Sequence, residues 1–396
     1  VFTDGERRTL YWVGGAGTWE DTTHWSLSSG GPGGECIPTP LDDVIFDENS
    51  FTGPNQLVDA NLALESYCHD MTWTASNSPR YFVWSLNCFG SMQLTPDMST
   101  SINTLRWRSA DQGERMSTHE HPIFSLILHG AGEWQLTSPL NLRFFSFHRG
   151  TFRLDSFAVT SENFSVFSES SKILDFGGSR WTFRGDQRTN GYRWYHQRQS
   201  NLRVEGIPGL IEAVGAEPIF DLFTPLGGKT DLLFSNEEGI SQINNNDGAI
   251  SRLGSVTFRN DGIIRANEMY MDTLILSAGK AYQLQANGIF YIEDYLQMIG
   301  NNCTPIQLSS TAQGNQAEIR MDDGFVKSDF VQMRDQRAAG VNTDFFAGRH
   351  STDIGNSNTG WLFQSRREFQ NEGFLGSDVV LCEDQTVTLN ANNFSP

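Results

Sequence analysis

The stretch best equipped for chemistry is residues 180–203. It carries Arg180, Arg184, Arg188, Arg193, Arg198 and Arg203 interleaved with Trp181, Tyr192, Trp194, Tyr195 and His196. Guanidinium forks grip carboxylates or sulfates and aromatic faces stack on sugars, so this basic, aromatic island reads as a binding patch. An acidic polysaccharide, or the acidic face of a partner, would suit it. Arg188, Tyr192, Arg193, Trp194, Tyr195, His196 and Arg198 are its candidate ligand-binding residues. The competing reading is structural: arginines lying along strand surfaces and pairing with Glu or Asp of the neighbouring strand.

Other groups have weaker spacing. Asp353, Asn356 and Asn358 sit in a glycine-bearing turn and could give oxygen ligands to calcium, as could Asp43, Asp47 and Asn49. Hard cations want six to eight oxygens. Neither set completes a loop signature, and turn capping competes with both. His119-Glu120-His121 would place two imidazoles on one face if extended, a zinc pair lacking a third ligand; a polar loop is the alternative. Of the five cysteines, Cys68 and Cys88 lie twenty residues apart, about one coil, and form the candidate disulfide; buried free thiols compete. No Cys-x-x-Cys occurs, nor Gly-x-Ser-x-Gly, nor His-Glu-x-x-His.

The elements that must position these residues show best between Phe124 and Gly185. Leu126-x-Leu128, Gly130, Gly132 and Trp134-x-Leu136 are followed by Phe145-x-Phe147, Gly150 and Phe152-x-Leu154. A third round gives Leu174-x-Phe176, Gly177, Gly178 and Trp181-x-Phe183. Alternation with period two puts one set of side chains on one face of a strand, and the glycines let the chain turn. A unit of this kind cannot bury its apolar face alone, but stacked units cover one another. The pattern therefore predicts an all-β protein, a right-handed parallel β-helix (β-solenoid); a β-sandwich is the competing fold.

The predicted organisation has four parts. Residues 1–50 form an N-terminal capping segment, in which Trp12, Trp19 and Trp25 close the first rung; an exposed sugar-stacking platform is the alternative use of those rings. Residues 51–363 form the parallel β-helix, with a less regular insertion at about 186–250, where Glu205 to Phe223 could hold a short helix or projecting loop. Trp361 and Phe363 plug its far end, and residues 364–373 are a polar linker.

A formal charge of −19 argues against nucleic acid, which wants a basic face, and against an anionic membrane surface. No apolar run approaches 18 residues, so no membrane insertion is expected. A chain opening on Val1 is expected to be a mature protein or an excised piece.

Tyr11-Trp-Val-Gly-Gly-Ala-Gly-Thr-Trp19, His24-Trp25-Ser26, Gly30-Gly31-Pro32-Gly33-Gly34 and Asp42-Asp43-Val44-Ile45-Phe46-Asp47 form a distinctive opening. So do Gly279-Lys280-x-Tyr282-x-Leu284, Cys303-Thr304-x-Ile306-x-Leu308 and Ser351-x-Asp353-x-Gly355-Asn356 through Gly360-Trp361-x-Phe363 near the close. Together these strings resemble large secreted surface proteins of Bacteroidota, including the giant gliding-motility adhesins exported by type IX secretion. The resemblance implies an extracellular, cell-surface adhesin. Leu375 to Leu389 resembles the first strands of the Ig-like or PKD-like repeats of those adhesins, so residues 374–396 are expected to begin a truncated Ig-like β-sandwich domain. Its missing strands, and a missing partner for Cys382, imply a natural chain running beyond Pro396. Further Ig-like domains of the same chain and a surface polysaccharide are the implied partners.

Many parallel β-helices are polysaccharide lyases or hydrolases, and glycosidases need two carboxylates across the scissile bond. Asp322-Asp323 and Asn342-Thr343-Asp344 are the candidates. The latter is similar to the Asn-Thr-Asp of polygalacturonases, but here the order of the two strings is reversed, and the Gly-His-Gly and Arg-Ile-Lys of that family are absent. The chain is therefore read as non-catalytic, with no certain cofactor.

Overall fold

The computed structural model describes residues 7–61, 65–188, 191–197, 201–222, 230–245 and 251–363. The chain climbs through a parallel β-solenoid of about 13 turns, with almost no helix. Among the described residues there are 36 strands and two 3-10 turns of three residues each. Parallel pairing brings residues about one coil apart into register: Leu105 stands beside Leu126, Leu126 beside Phe145, and Phe145 beside Phe164. The same column continues through Trp194, Phe220, Ile243, Ile264 and Leu284. Every side chain in it is buried.

This column shows why the sequence stacks. Each apolar side chain is covered by the one above, so the interior is one continuous core rather than a series of small ones. Rings meet at 5.2 Å between Phe145 and Phe164, 4.2 Å between Phe164 and Trp194, and 5.6 Å between Trp194 and Phe220. Full burial of such a side chain contributes about 1.5–3 kcal/mol, and a well-placed aromatic pair about 0.5–1.5 kcal/mol more.

The less regular insertion expected at 186–250 is not seen in its described residues. Strands Trp194–His196, Asn201–Glu205, Leu210–Ala213, Ile219–Leu222, Thr230–Phe234 and Ile240–Asn245 all join the parallel ladder. Neither a helix nor a projecting loop occupies residues 205–222. Apart from a register shift between Thr230 and Leu232, the strands stay in register while the turns between them vary in length, and it was the turns that broke the sequence pattern.

The first tryptophans are inside. Trp12, Trp19 and Trp25 are buried, and their rings meet edge to face: 5.2 Å for Trp12 and Trp25, 4.9 Å for Trp19 and Trp25. Trp12 Nε1 donates to the Gly15 carbonyl and Trp25 Nε1 to the Trp19 carbonyl. No ring face there is left for a sugar, which removes the platform reading. Strand Trp25–Ser26 is the edge of its sheet and runs antiparallel to Thr9–Trp12, the antiparallel pairing among the described strands. At the other end Trp361 is buried with its ring 5.4 Å from Phe345, and Phe363 is partly buried against the core. The linker at 364–373 and the Ig-like segment at 374–396, with Cys382, lie outside the described residues.

Candidate functional site

The solenoid divides the basic, aromatic island between its two faces. Trp194 and His196, expected as ligand-binding residues, are fully buried in adjacent interior columns, so neither can touch a ligand. The reason is period two: strand Trp194–His196 points both inward, and Tyr195 between them outward. Tyr192 and Arg193 remain outward, Arg188 is exposed, and Arg198 lies outside the described residues. The arginines are largely engaged across the ladder. Arg193 Nη1 lies 2.8 Å from a carboxylate oxygen of Asp221, itself nearly buried, and Arg180 pairs with Glu212 on the next strand, while Arg203 pairs with Glu205 of its own strand.

The exposed aromatic surface lies elsewhere. In strands Arg80–Cys88, Ser99–Trp107, Pro122–Leu128 and Leu140–Phe147 the inward–outward alternation breaks at the same register position. In three of them two consecutive residues there leave the core: Asn103 and Thr104, Phe124 and Ser125, Arg143 and Phe144. Register lines these positions up along the rod: Ile102 beside Val83 and Ile123, and Thr104 beside Ser85 and Ser125, put Trp84, Asn103, Phe124 and Arg143 in one column. Glu162 continues it by donating its backbone N–H to the Arg143 carbonyl. Trp84 is 57% exposed and Phe124 44% exposed.

Around that column the groups interlock. The Arg143 guanidinium lies 5.3 Å from the Phe124 ring centre, 5.7 Å from Phe144 and 5.5 Å from Tyr192. It also pairs with Glu162 at 3.1 Å and donates to the Tyr192 hydroxyl at 3.2 Å. Phe144 meets Phe124 and Tyr192 edge to face, at 5.2 and 4.8 Å. Of the sequence candidates, Tyr192 and Arg193 thus reach the edge of a stripe whose chief members, Trp84, Phe124 and Arg143, sequence reasoning passed over. The available signal was the broken alternation: in Ile123-Phe124-Ser125-Leu126 two residues rather than one separate the core positions.

The remaining groups resolve as turns and caps. Asp353 accepts from the Asn358 side-chain amide, which also donates to the Met333 carbonyl, while Asn358 Oδ1 accepts from the Gln336 N–H at 2.8 Å. Asn356 lines a polar cavity of about 640 Å³ with Asn287, Asn315, Gln316, Glu318 and Arg337. Asp47 caps its own turn through the Asn49 N–H and Ser50, apart from Asp43. His119 and Glu120 have positive φ, so the stretch is not extended: His119 faces Ser117 and His121 faces the Thr95 carbonyl.

Among the described residues, the group that converges as metal ligands would is Asp43, His69 and Asp70. Arg7 already pairs with both carboxylates and stands where a metal ion would compete with it. Directly beneath, Cys68 and Cys88 are register partners on neighbouring rungs, as expected, but both are buried free thiols and the expected bridge is not formed. Contact with Cys88, together with burial, pushes the Cys68 thiol well up, so neither a thiolate nor easy oxidation is favoured there. Among the described cysteines, Cys303 is disulfide-bonded and Cys36 is free.

The two carboxylate strings stack on consecutive rungs. Asn342 donates its side-chain N–H to Asp323 at 2.7 Å and its backbone N–H to the Asp322 carbonyl. Asp322 and Asp323 line an open cleft of about 380 Å³ with Tyr270, Tyr291, Glu293 and Arg320. There the two tyrosine rings lie parallel at 4.3 Å, with Arg252 and Arg320 over their outer faces. No helix among the described residues is long and apolar enough to cross a membrane. Compared with protein-family models, with curated proteins and with solved structures, the chain matches none.

Proposed function

We propose that this chain is a non-catalytic, extracellular attachment module, an adhesin or surface-filament segment that displays side chains on a rigid β-helix. The observation that carries the reading is the stripe of Trp84, Phe124, Arg143 and Tyr192, exposed aromatic and cationic surface held at fixed spacing by a continuous core. Such a face costs solubility if it binds nothing. In this reading the rod is right-handed and the buried tryptophans at 12, 19 and 25 cap its first rung. Residues 374–396 begin an Ig-like domain that joins the rod to further repeats. Type IX export, a place on the surface of a member of the Bacteroidota and a role in gliding or attachment follow from the resemblance of the opening and closing strings. Calcium is retained only as a variable of the test. The full chain should bind bacterial or abiotic surfaces or their polysaccharides, with and without chelator, and lose binding in Trp84→Ala/Phe124→Ala. Binding that is absent, or unchanged by both substitutions, would remove this reading.

One observation favours a second reading, a polysaccharide-active enzyme: three carboxylates, Glu293, Asp322 and Asp323, line one open cleft beside two tyrosines and an arginine. Release of reducing ends from a polysaccharide panel, abolished by Asp322→Asn or Glu293→Gln, would replace the attachment reading with this one. A third, a scaffold whose partners are other subunits, would show itself as concentration-dependent self-association.

A further inference from the structure

From the pairing of its charges, we infer that the stripe takes an extended, uncharged polysaccharide lying along the rod; this rests on the attachment reading and names its ligand class. The sequence alone points to an acidic ligand, because arginines crowd residues 180–203. The structure removes that attraction. Arg143 is paired with Glu162 and Arg193 with Asp221, so the guanidiniums bordering the stripe bring their own counter-charges. The whole chain carries −19, which repels a polyanion at long range. What the stripe offers is aromatic surface and planar hydrogen-bonding groups. Trp84 and Phe124 present ring area to solvent. The Asn103 amide and the Glu162 carboxylate stand between and beyond them; both can pair with sugar hydroxyls, and the carboxylate, an acceptor only, disfavours sulfates and uronates.

Spacing gives the orientation. Neighbouring strands are about 4.8 Å apart, close to the advance of one pyranose along an extended chain. Trp84 and Phe124 are two rungs apart with Asn103 on the rung between. A polysaccharide parallel to the solenoid axis can therefore set every second ring on an aromatic face and present the intervening hydroxyls to the amide. A chain lying across the rod would meet one aromatic at most. A coiled glucan would lose the register after a rung or two.

The test is binding of the full chain to soluble polysaccharides by affinity electrophoresis and calorimetry. The probes are a β-1,4-linked neutral glucan and a xylan, a coiled α-linked glucan, and alginate and polygalacturonate. Each is measured at low and high salt and compared with Trp84→Ala, Phe124→Ala and, as a control at an exposed ring outside both the stripe and the carboxylate cleft, Phe325→Ala. The inference expects binding to the extended neutral chains, insensitive to salt, reduced on the order of tenfold by each stripe substitution and unchanged in the control. Trp84→Ala should keep the parent melting temperature, and Phe124→Ala, which gives up its contacts with Phe144 and Arg143, should lower it only slightly. Preference for the polyanions with loss at high salt would overturn it, as would neutral-glycan binding that survives the stripe substitutions. Surface attachment that depends on Trp84 without any neutral-glycan binding would overturn this inference and leave the attachment reading standing. Glycan binding through the stripe without surface attachment would do the reverse.

Discussion

Trp194 Nε1 donates a hydrogen bond of 3.0 Å to Nε2 of His196, and both side chains are fully buried in the interior of the rod. The two residues that looked most like ligand contacts thus satisfy each other inside the core. Trp194→Ala should cost about 3–5 kcal/mol through the cavity it leaves between Phe164 and Phe220. Trp194→Phe keeps most of the stacking but withdraws the indole donor, costing roughly 1–3 kcal/mol. Chemical denaturation checks both values, and a Trp194→Ala variant as stable as the parent would contradict the buried placement.

Arg193 should likewise matter for stability before binding. Its partner Asp221 has a side chain only 5% exposed and also accepts from the Asn244 amide at 2.7 Å. Arg193 itself is nearly half exposed, so solvent screens the pair. Arg193→Ala is expected to cost about 1–2 kcal/mol by stranding the carboxylate. Arg193→Ala/Asp221→Asn should recover part of that loss. A double-mutant cycle with no coupling would show the pair to be inert.

Acid should find the histidines on the edge of the core. His148 meets His129 at a tilt, 4.2 Å between ring centres, and stacks on Phe167 at 5.2 Å; burial, then the neighbouring His129 and Lys172, lowers its pKa to about 4. Above the ordinary value of about 6.5 the ring is neutral folded or unfolded, and the group has no effect on stability. As pH falls from there toward 4, the unfolded chain takes up the proton first, and stability falls across that window. Urea melts at pH 7, 5.5 and 4.5 should show the decline, and His148→Gln should flatten it.

Lys172 makes the opposite limb visible. It is buried, donates to the Ser168 and Ser170 carbonyls, and burial lowers its pKa to about 8. Between about 8 and the ordinary 10.4 the unfolded state holds the extra proton, so this group makes stability rise with pH there. Lys172→Met should be the more stable protein at pH 7, with the advantage shrinking toward pH 10.

The turn glycines should separate by what lies over them. A Cβ at Gly130 would stand 1.9 Å from the Ser109 carbonyl of the rung below, whereas Gly113 has positive φ and open space. Gly113→Ala is then limited to the left-handed backbone penalty, about 1–2 kcal/mol. Gly130→Ala must push two rungs apart and should lower the melting temperature more. Equal melting temperatures would mean that the turns are not stacked so closely.

Much of the fold was legible in residue order. Leu126-x-Leu128, Phe145-x-Phe147 and Trp181-x-Phe183 announce their inward faces by period two alone, because a strand has only two faces and water excludes apolar side chains from one of them. Glycines at the turns mark where rungs come too close for a Cβ. Stacking, and with it the solenoid, follows from units that cannot bury themselves singly.

What tertiary structure decided is which residue stands over which. Trp194 and Tyr192 look equally available in sequence, yet one lies in the core column between Phe164 and Phe220 while the other meets Arg143. Trp84, Phe124 and Arg143, spread over 60 residues of sequence, share one column only because the alternation breaks at one register position on successive rungs. The carboxylates that neutralise Arg193 and Arg180 lie some thirty residues away in sequence. Local pattern sets the direction of each side chain, but register between rungs sets its neighbours, and register depends on turn lengths whose sum no single repeat encodes.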